Sequence, residues 1–240
     1  MKPSTFARML FLTTCLLLPT MAQAVPAAGQ IARLTGDSIA RARAADGSLR
    51  SLATGDSVYS GDAISTGKDT NVEILFADGS RCAVGSRAEF VVDRFIYGQG
   101  GEEDAFHSRV VKGVFRFVSG LIGKSKGRDI KISVVVATIG IRGTQLEGEV
   151  TERHEKDGVS VDASAKVVLL EPEEKGKETS IVVSNEFGSV VIDKPGYGTE
   201  IPDEKSPPSP VRKMQLRTVE NILRSIRSSV RQSGTARPRM

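Results

Sequence analysis

Hydrophobic and polar positions alternate along most of this chain. From Asn71 to Phe76, Val72, Ile74 and Phe76 fall on one side with Glu73 on the other, the signature of a half-buried strand. Similar short runs occur at Ile31–Leu34, Ser38–Ala42, Arg81–Val84, Ala88–Tyr97 and Val110–Val118. Ile130–Gly140 and Ile141–Val150 read as two strands or one bent strand, with β-branched residues crowding Val134–Thr144. Val159–Leu170, Ser180–Ser184 and Ser189–Ile192 complete the series. Turns punctuate it: Asp46-Gly47 favours a tight hairpin, Gly98–Asp104 a loop, Gly120–Asp129 an exposed stretch, Glu152–Gly158 a charged turn and Glu171–Glu178 a charged hairpin tip. Turn signals about every dozen residues, with no long helical period, predict an all-β body arranged as a sandwich or β-roll.

The pattern changes after Asp193. Pro195, Pro202, Pro207, Pro208 and Pro210, set among glycine, serine and charges, predict a stiff Pro-rich linker over 194–210. Beyond it, Val219, Ile222, Leu223, Ile226 and Val230 recur at helical spacing, so 211–232 is expected to be one C-terminal amphipathic helix. Arg217, Arg224 and Arg231 recur every seven residues as a basic stripe beside the apolar one. Residues 233–240 are expected to be a disordered tail.

The first 24 residues have the three parts of an export signal: Lys2 and Arg8, an apolar run from Met9 to Met21, and Ala22-Gln23-Ala24. The apolar run is shorter than the roughly 20 residues that span a bilayer. Cleavage is expected after Ala24, leaving a periplasmic or secreted chain whose body runs over 25–193. Acylation of Cys15 is the weaker reading, because Thr14 precedes it and it lies within the apolar run. Cleavage would leave Cys82 alone, without an internal disulfide partner and expected as a buried apolar residue.

Charge divides the chain more sharply than its net +4 suggests. From Ser206 onward there are eight basic residues and one acid, whereas Val25–Lys205 carries a balance of −5. The basic helix is therefore expected to dock on its own body, on an envelope protein, or on an anionic membrane or cell-wall surface. Export argues against nucleic acid as the partner. Tryptophan is absent and tyrosine scarce, which suits an aromatic-lined carbohydrate groove poorly.

Candidate catalytic and metal motifs are weak. Gly123-Lys124-Ser125 resembles the end of a phosphate loop, but Val118 stands where its first glycine is required. His107 and His154 have no companion at metal-ligand spacing, and Cys82 has no local base. The Gly-Asp pairs at 36–37, 55–56 and 61–62 need only turn chemistry. No catalytic, metal or cofactor site is expected. The candidate contact residues are Arg142, Arg217, Arg224 and Arg231. For Arg142 a structural ion pair is expected, the alternative being an exposed guanidinium fork for a partner's carboxylate.

Five blocks in order resemble the FecR-type domain. They are Leu52 with Gly55-Asp56; Gly61-Asp62, Ile64 and Thr66-Gly67; Ile74–Phe76 with Asp78-Gly79-Ser80; Gly113–Gly120; and Ala137–Thr144. The resemblance spans about 31–170. It implies an all-β periplasmic module of Gram-negative bacteria, used in protein contact and not known as an enzyme. In the iron regulators of the family, such a domain receives a signal from an outer-membrane receptor and passes it to a sigma factor. This chain departs from that layout, having a signal peptide in place of an anti-sigma segment and no later membrane helix. The expectation is thus a non-catalytic binding or signal-sensing module of the cell envelope. An envelope glycan-binding module or enzyme with an unrecognised site is the alternative.

Overall fold

A computed structural model describes residues 26–98, 104–124, 129–143, 145–172 and 179–216. Nineteen strands occur among them. The first eight are β1 (Gly29–Thr35), β2 (Ala40–Arg43), β3 (Leu49–Leu52), β4 (Ser57–Val58), β5 (Ala63–Ser65), β6 (Asn71–Phe76), β7 (Arg81–Val84) and β8 (Glu89–Ile96). The long β9 (Ala105–Val118) leads to β10 (Asp129–Val134), β11 (Ala137–Arg142) and β12 (Gln145–Thr151). The rest are β13 (His154–Lys156), β14 (Val159–Val161), β15 (Ser164–Leu170), β16 (Ser180–Asn185), β17 (Gly188–Ile192), β18 (Tyr197–Ile201) and β19 (Arg212–Lys213). The all-β expectation holds.

Two sheets share β9. The front sheet runs β4-β1-β6-β7-β9-β12-β15-β18-β19, using residues 113–118 of β9. The back sheet runs β3-β2-β5-β8-β9-β10-β11-β16-β17, using residues 105–112. All these pairings are antiparallel except β9 with β10. The strand passes from one sheet to the other at Gly113, whose φ is +96° and where an added Cβ would lie 2.4 Å from that of Ala88. Only glycine meets both conditions without strain.

Alternation decides which side chains enter the space between the sheets. In β6, Val72, Ile74 and Phe76 are buried while Asn71, Glu73 and Leu75 are half-buried on the other face. Phe106 lies edge-on to Phe76 at 4.7 Å and 5.0 Å from Phe117, so the two halves of β9 pack their aromatic rings together. Ile31, Ile64, Phe90, Phe115, Ile132, Ile139 and Leu146 extend this core.

Several local expectations need adjustment. Ile130–Val150 forms three strands. Gly120–Asp129 is not wholly exposed, because Ile122, in a short 3-10 turn over Ile122–Lys124, is fully buried. Glu171–Glu178 does not close a hairpin: β15 already pairs with β12 and β18, so β16 joins β11 in the other sheet. The Pro-rich stretch contains β18, which pairs with β15, and its prolines flank that strand without entering it. Ser209 N–H donates to Glu200 O, Thr199 Oγ1 donates to Ser209 O, and Pro208 is buried, tying 206–210 to the body. Arg212 and Lys213, expected in the helix, pair with Gly198 and Tyr197 as β19. Residues 217–240 lie outside the described residues. Among the described residues no helix is long and apolar enough to cross a membrane.

Candidate functional site

The residues that stood out as motifs are committed to the scaffold. Asp62 is 1% exposed, and its carboxylate takes Arg50 Nη1–H at 3.0 Å and Tyr59 N–H at 2.8 Å. Arg50 Nη2 bridges the other way, to Asp62 Oδ2 and to Ser57 O. The ion pair keeps the guanidinium charged, pushing its pKa up through the hydrogen bond to Asp62. Thr66 Oγ1 donates to Gly85 O and accepts from Ala88 N–H, bracing the turn before β8. In the Leu52–Asp56 turn, Asp56 Oδ2 accepts from Ala53 N–H.

Asp78 plays a longer-range part. Its carboxylate accepts from Ser80 N–H and Ser80 Oγ–H, while its backbone carbonyl accepts from Leu121 N–H. Ser80 Oγ in turn accepts from Gly120 N–H at 2.8 Å. The Asp-Gly-Ser turn thereby fastens the segment that follows β9. These are the structural duties that buried polar groups in close-packed turns must perform.

Arg142, at the end of β11, departs from its expected role. It is exposed, opposite Ser180 in β16, and makes no ion pair among the described residues. A side chain at that register position points away from the core, because Ile139 and Ile141 fill the inward positions. Among the described residues no carboxylate pairs with it, and its guanidinium is exposed. Around it lies a shallow groove of about 460 Å³, lined by Asp129, Lys131, Gly140, Ser180, Val182 and Val191 among others. Val182 and Val191 are exposed, the latter by 60%, and Gly140, in register with Val182 on its other side, leaves the floor beside them without a side chain.

At one end of this face Asp129 holds two partners. Its Oδ2 lies 2.6 Å from His107 Nε2 and its Oδ1 2.9 Å from Lys131 Nζ. Partial burial raises the carboxyl pKa, but the bonds from Lys131 and His107 outweigh it and leave the group below its ordinary value. Sequence reading had treated His107 in isolation. Its partner is 22 residues away and adjacent only through the parallel β9–β10 pairing.

A second concavity, of about 720 Å³, lies beside the Gly113 bend and includes Arg87, Glu89, Lys112, Glu152 and His154. Two of its carboxylates are engaged: Glu152 with Lys112 at 2.6 Å and Glu89 with Arg43 at 3.9 Å. Arg87 carries a positive φ of 51° and is exposed. No sequence spacing pointed to this cluster, because its members come from four separate segments. Cys82 is fully buried within the core, where desolvation pushes its thiol pKa far up. Among the described residues, no three metal-capable side chains cluster. Arg217, Arg224 and Arg231 fall outside the described residues.

Residues 62–168 match the family model for FecR protein. Over that span the chain is similar to a FecR domain. The match begins at the buried Asp62 and ends at Val168 in β15, so it takes in Asp62, Thr66 and Asp78 but not the Leu52–Asp56 turn. Strands β1 to β4 precede the match yet are woven into both sheets, and β16 to β19 follow it. Among the curated proteins, none matches this chain. A similar solved structure is that of a protein from Parabacteroides distasonis provisionally assigned as an anti-sigma factor. It is 10% identical, with a TM-score of 0.46 over 67% of this chain and 64% of that one, so less than two thirds of that protein's length is spanned.

Proposed function

We propose that this chain is a non-catalytic binding or signal-sensing module of the bacterial envelope, exported by its N-terminal signal and recognising another envelope protein. The FecR domain carries the reading. The domain's motif residues are spent on the fold, so recognition falls to the surface that the fold presents. The back-sheet face is the best such surface. It combines an exposed guanidinium, Arg142, with two exposed valines and a side-chain-free strip at Gly140. An arginine fork beside apolar side chains suits a partner that brings a carboxylate within an otherwise apolar strand or loop.

The test is crosslinking in the native envelope with the wild-type chain and an Arg142→Glu variant in parallel. A specific envelope protein captured by the wild type and lost with the variant supports the reading. Equal capture by both would move recognition off this face.

The 720 Å³ concavity favours a second reading, a glycan or small ligand held by the charged side chains around Arg87 and Glu152. Melting the protein with and without peptidoglycan fragments distinguishes the two, since a ligand that binds only the folded state must raise the melting temperature.

A further inference from the structure

The side of the front sheet that faces away from the core carries an apolar patch set among charged side chains, Arg116, Glu149 and Lys166 among them. Val114 of β9 and Val168 of β15 point outward there, and both are nearly fully buried, Val168 to 1% exposure. Between them on β12 stands Glu147, in register with Arg116 on one side and Val168 on the other. Glu147 is 5% exposed, although its neighbours Leu146 and Gly148 occupy the core-facing positions. A strand buried on both faces belongs to a sheet with a layer on each side. Leu75, Ala83 and Val118 continue the same outer face, each half-buried.

The chain delivers its own C-terminus to this face. After β19, Met214 packs over Gly198, where an added Cβ would sit 2.9 Å from Val168 Cγ2 and 3.2 Å from Met214 Sδ. Leu216, the last described residue, is 5% exposed and joins Val114 and Val168 in one apolar cluster. Twenty-four residues follow. Their sequence puts Val219, Ile222, Leu223, Ile226 and Val230 on one helical stripe. A helix over 217–232 would be about 24 Å long, close to the width of five neighbouring strands at roughly 4.8 Å each. Charge agrees with the geometry, since the segment from Ser206 is strongly basic and the body before it carries a net negative charge.

We infer that residues 217–232 dock on the outer face of the front sheet of their own chain, as a third layer that continues from Leu216 and lays the Val219–Val230 stripe across Val114, Val168 and Val118. This goes beyond the binding role proposed above, and divides the molecule's two outer faces. One is covered by the chain itself, and the other, around Arg142, stays open.

The test places a photo-activated crosslinking residue at Glu149, which lies opposite Val114 in register and is half-buried on the covered face. The full chain is irradiated and digested. Crosslinks from position 149 to peptides of 217–232 within a single chain are the expected result. A parallel chain carrying Ile222→Asp and Ile226→Asp should keep its β-sheet circular dichroism and lose the crosslink about tenfold, because an unpaired carboxylate opposes burial. A covalent dimer in place of the internal crosslink would assign the face to a second copy and overturn the inference. So would crosslinks that never reach 217–232, or that survive both substitutions unchanged.

Discussion

Arg50 grips the buried carboxylate of Asp62 with both terminal nitrogens while also holding the carbonyl of Ser57. That clasp joins β3 to β4 and to the turn that follows it, at the point where the family match begins. Removing the cation leaves a carboxylate without its main partner inside the fold. Arg50→Ala is expected to cost about 3 kcal/mol, the lower end of the range for a broken buried pair, because the arginine remains partly solvated. Replacing both members, Arg50→Met with Asp62→Leu, should cost less than the two single changes combined. Urea titrations of the four proteins measure the difference.

The bend at Gly113 combines a steric and a torsional requirement. Gly113→Ala should lower stability by about 2 kcal/mol, from a left-handed φ and from the collision with Ala88. Adding Ala88→Gly should return only the steric part, which separates the two causes in a thermal melt.

Asp78 tests the stapling of the segment after β9. Asp78→Ala leaves the Ser80 donors unpaired in a buried site and is expected to cost about 2 kcal/mol. Amide exchange at Gly120, Leu121 and Ile122 should accelerate more than exchange in the distant β16.

Asp129 makes stability depend on acid. Its folded pKa lies below the ordinary 3.8, so the ionised form is favoured by folding. Its contribution is therefore complete above the unfolded value and disappears as pH falls through the lowered folded value. Asp129→Asn should be less stable than wild type at neutral pH, and the gap should close as the pH drops below about 4. A gap that persists at pH 2 would mean that packing, and not charge, accounts for the difference.

Cys82 offers a simple check on the core. Burial without any charged neighbour pushes the thiol away from its reactive form, so Ellman's reagent should leave the native protein untouched and label it on denaturation. Rapid labelling of the native protein would contradict the packing of β7 against β9.

Much of the fold was legible because alternation is local. Val72, Ile74 and Phe76 announce their face within six residues, and Asp46-Gly47 announces its hairpin within two. The order of strands is not local. Nothing near Ser180 tells that β16 must pair with β11 once both sides of β15 are occupied. The prolines after Asp193 suggested a linker because they cluster, yet they leave Tyr197–Ile201 free to pair. The site was read less well. Whether Arg142 faces the core or solvent follows from strand parity, which places it outward beside the buried Ile141. The Asp129–His107 pair depends on a parallel register that no spacing encodes.

The shared strand β9 also dictates when this protein can fold. Its neighbours β7 and β8 are made before it, whereas β10 and β12 are made after it. A chain interrupted after Val118 would expose one raw strand edge in each half of β9, facing two different directions. Such edges recruit other chains. Folding delayed until Thr151 has been made would keep both edges from ever being presented half-built.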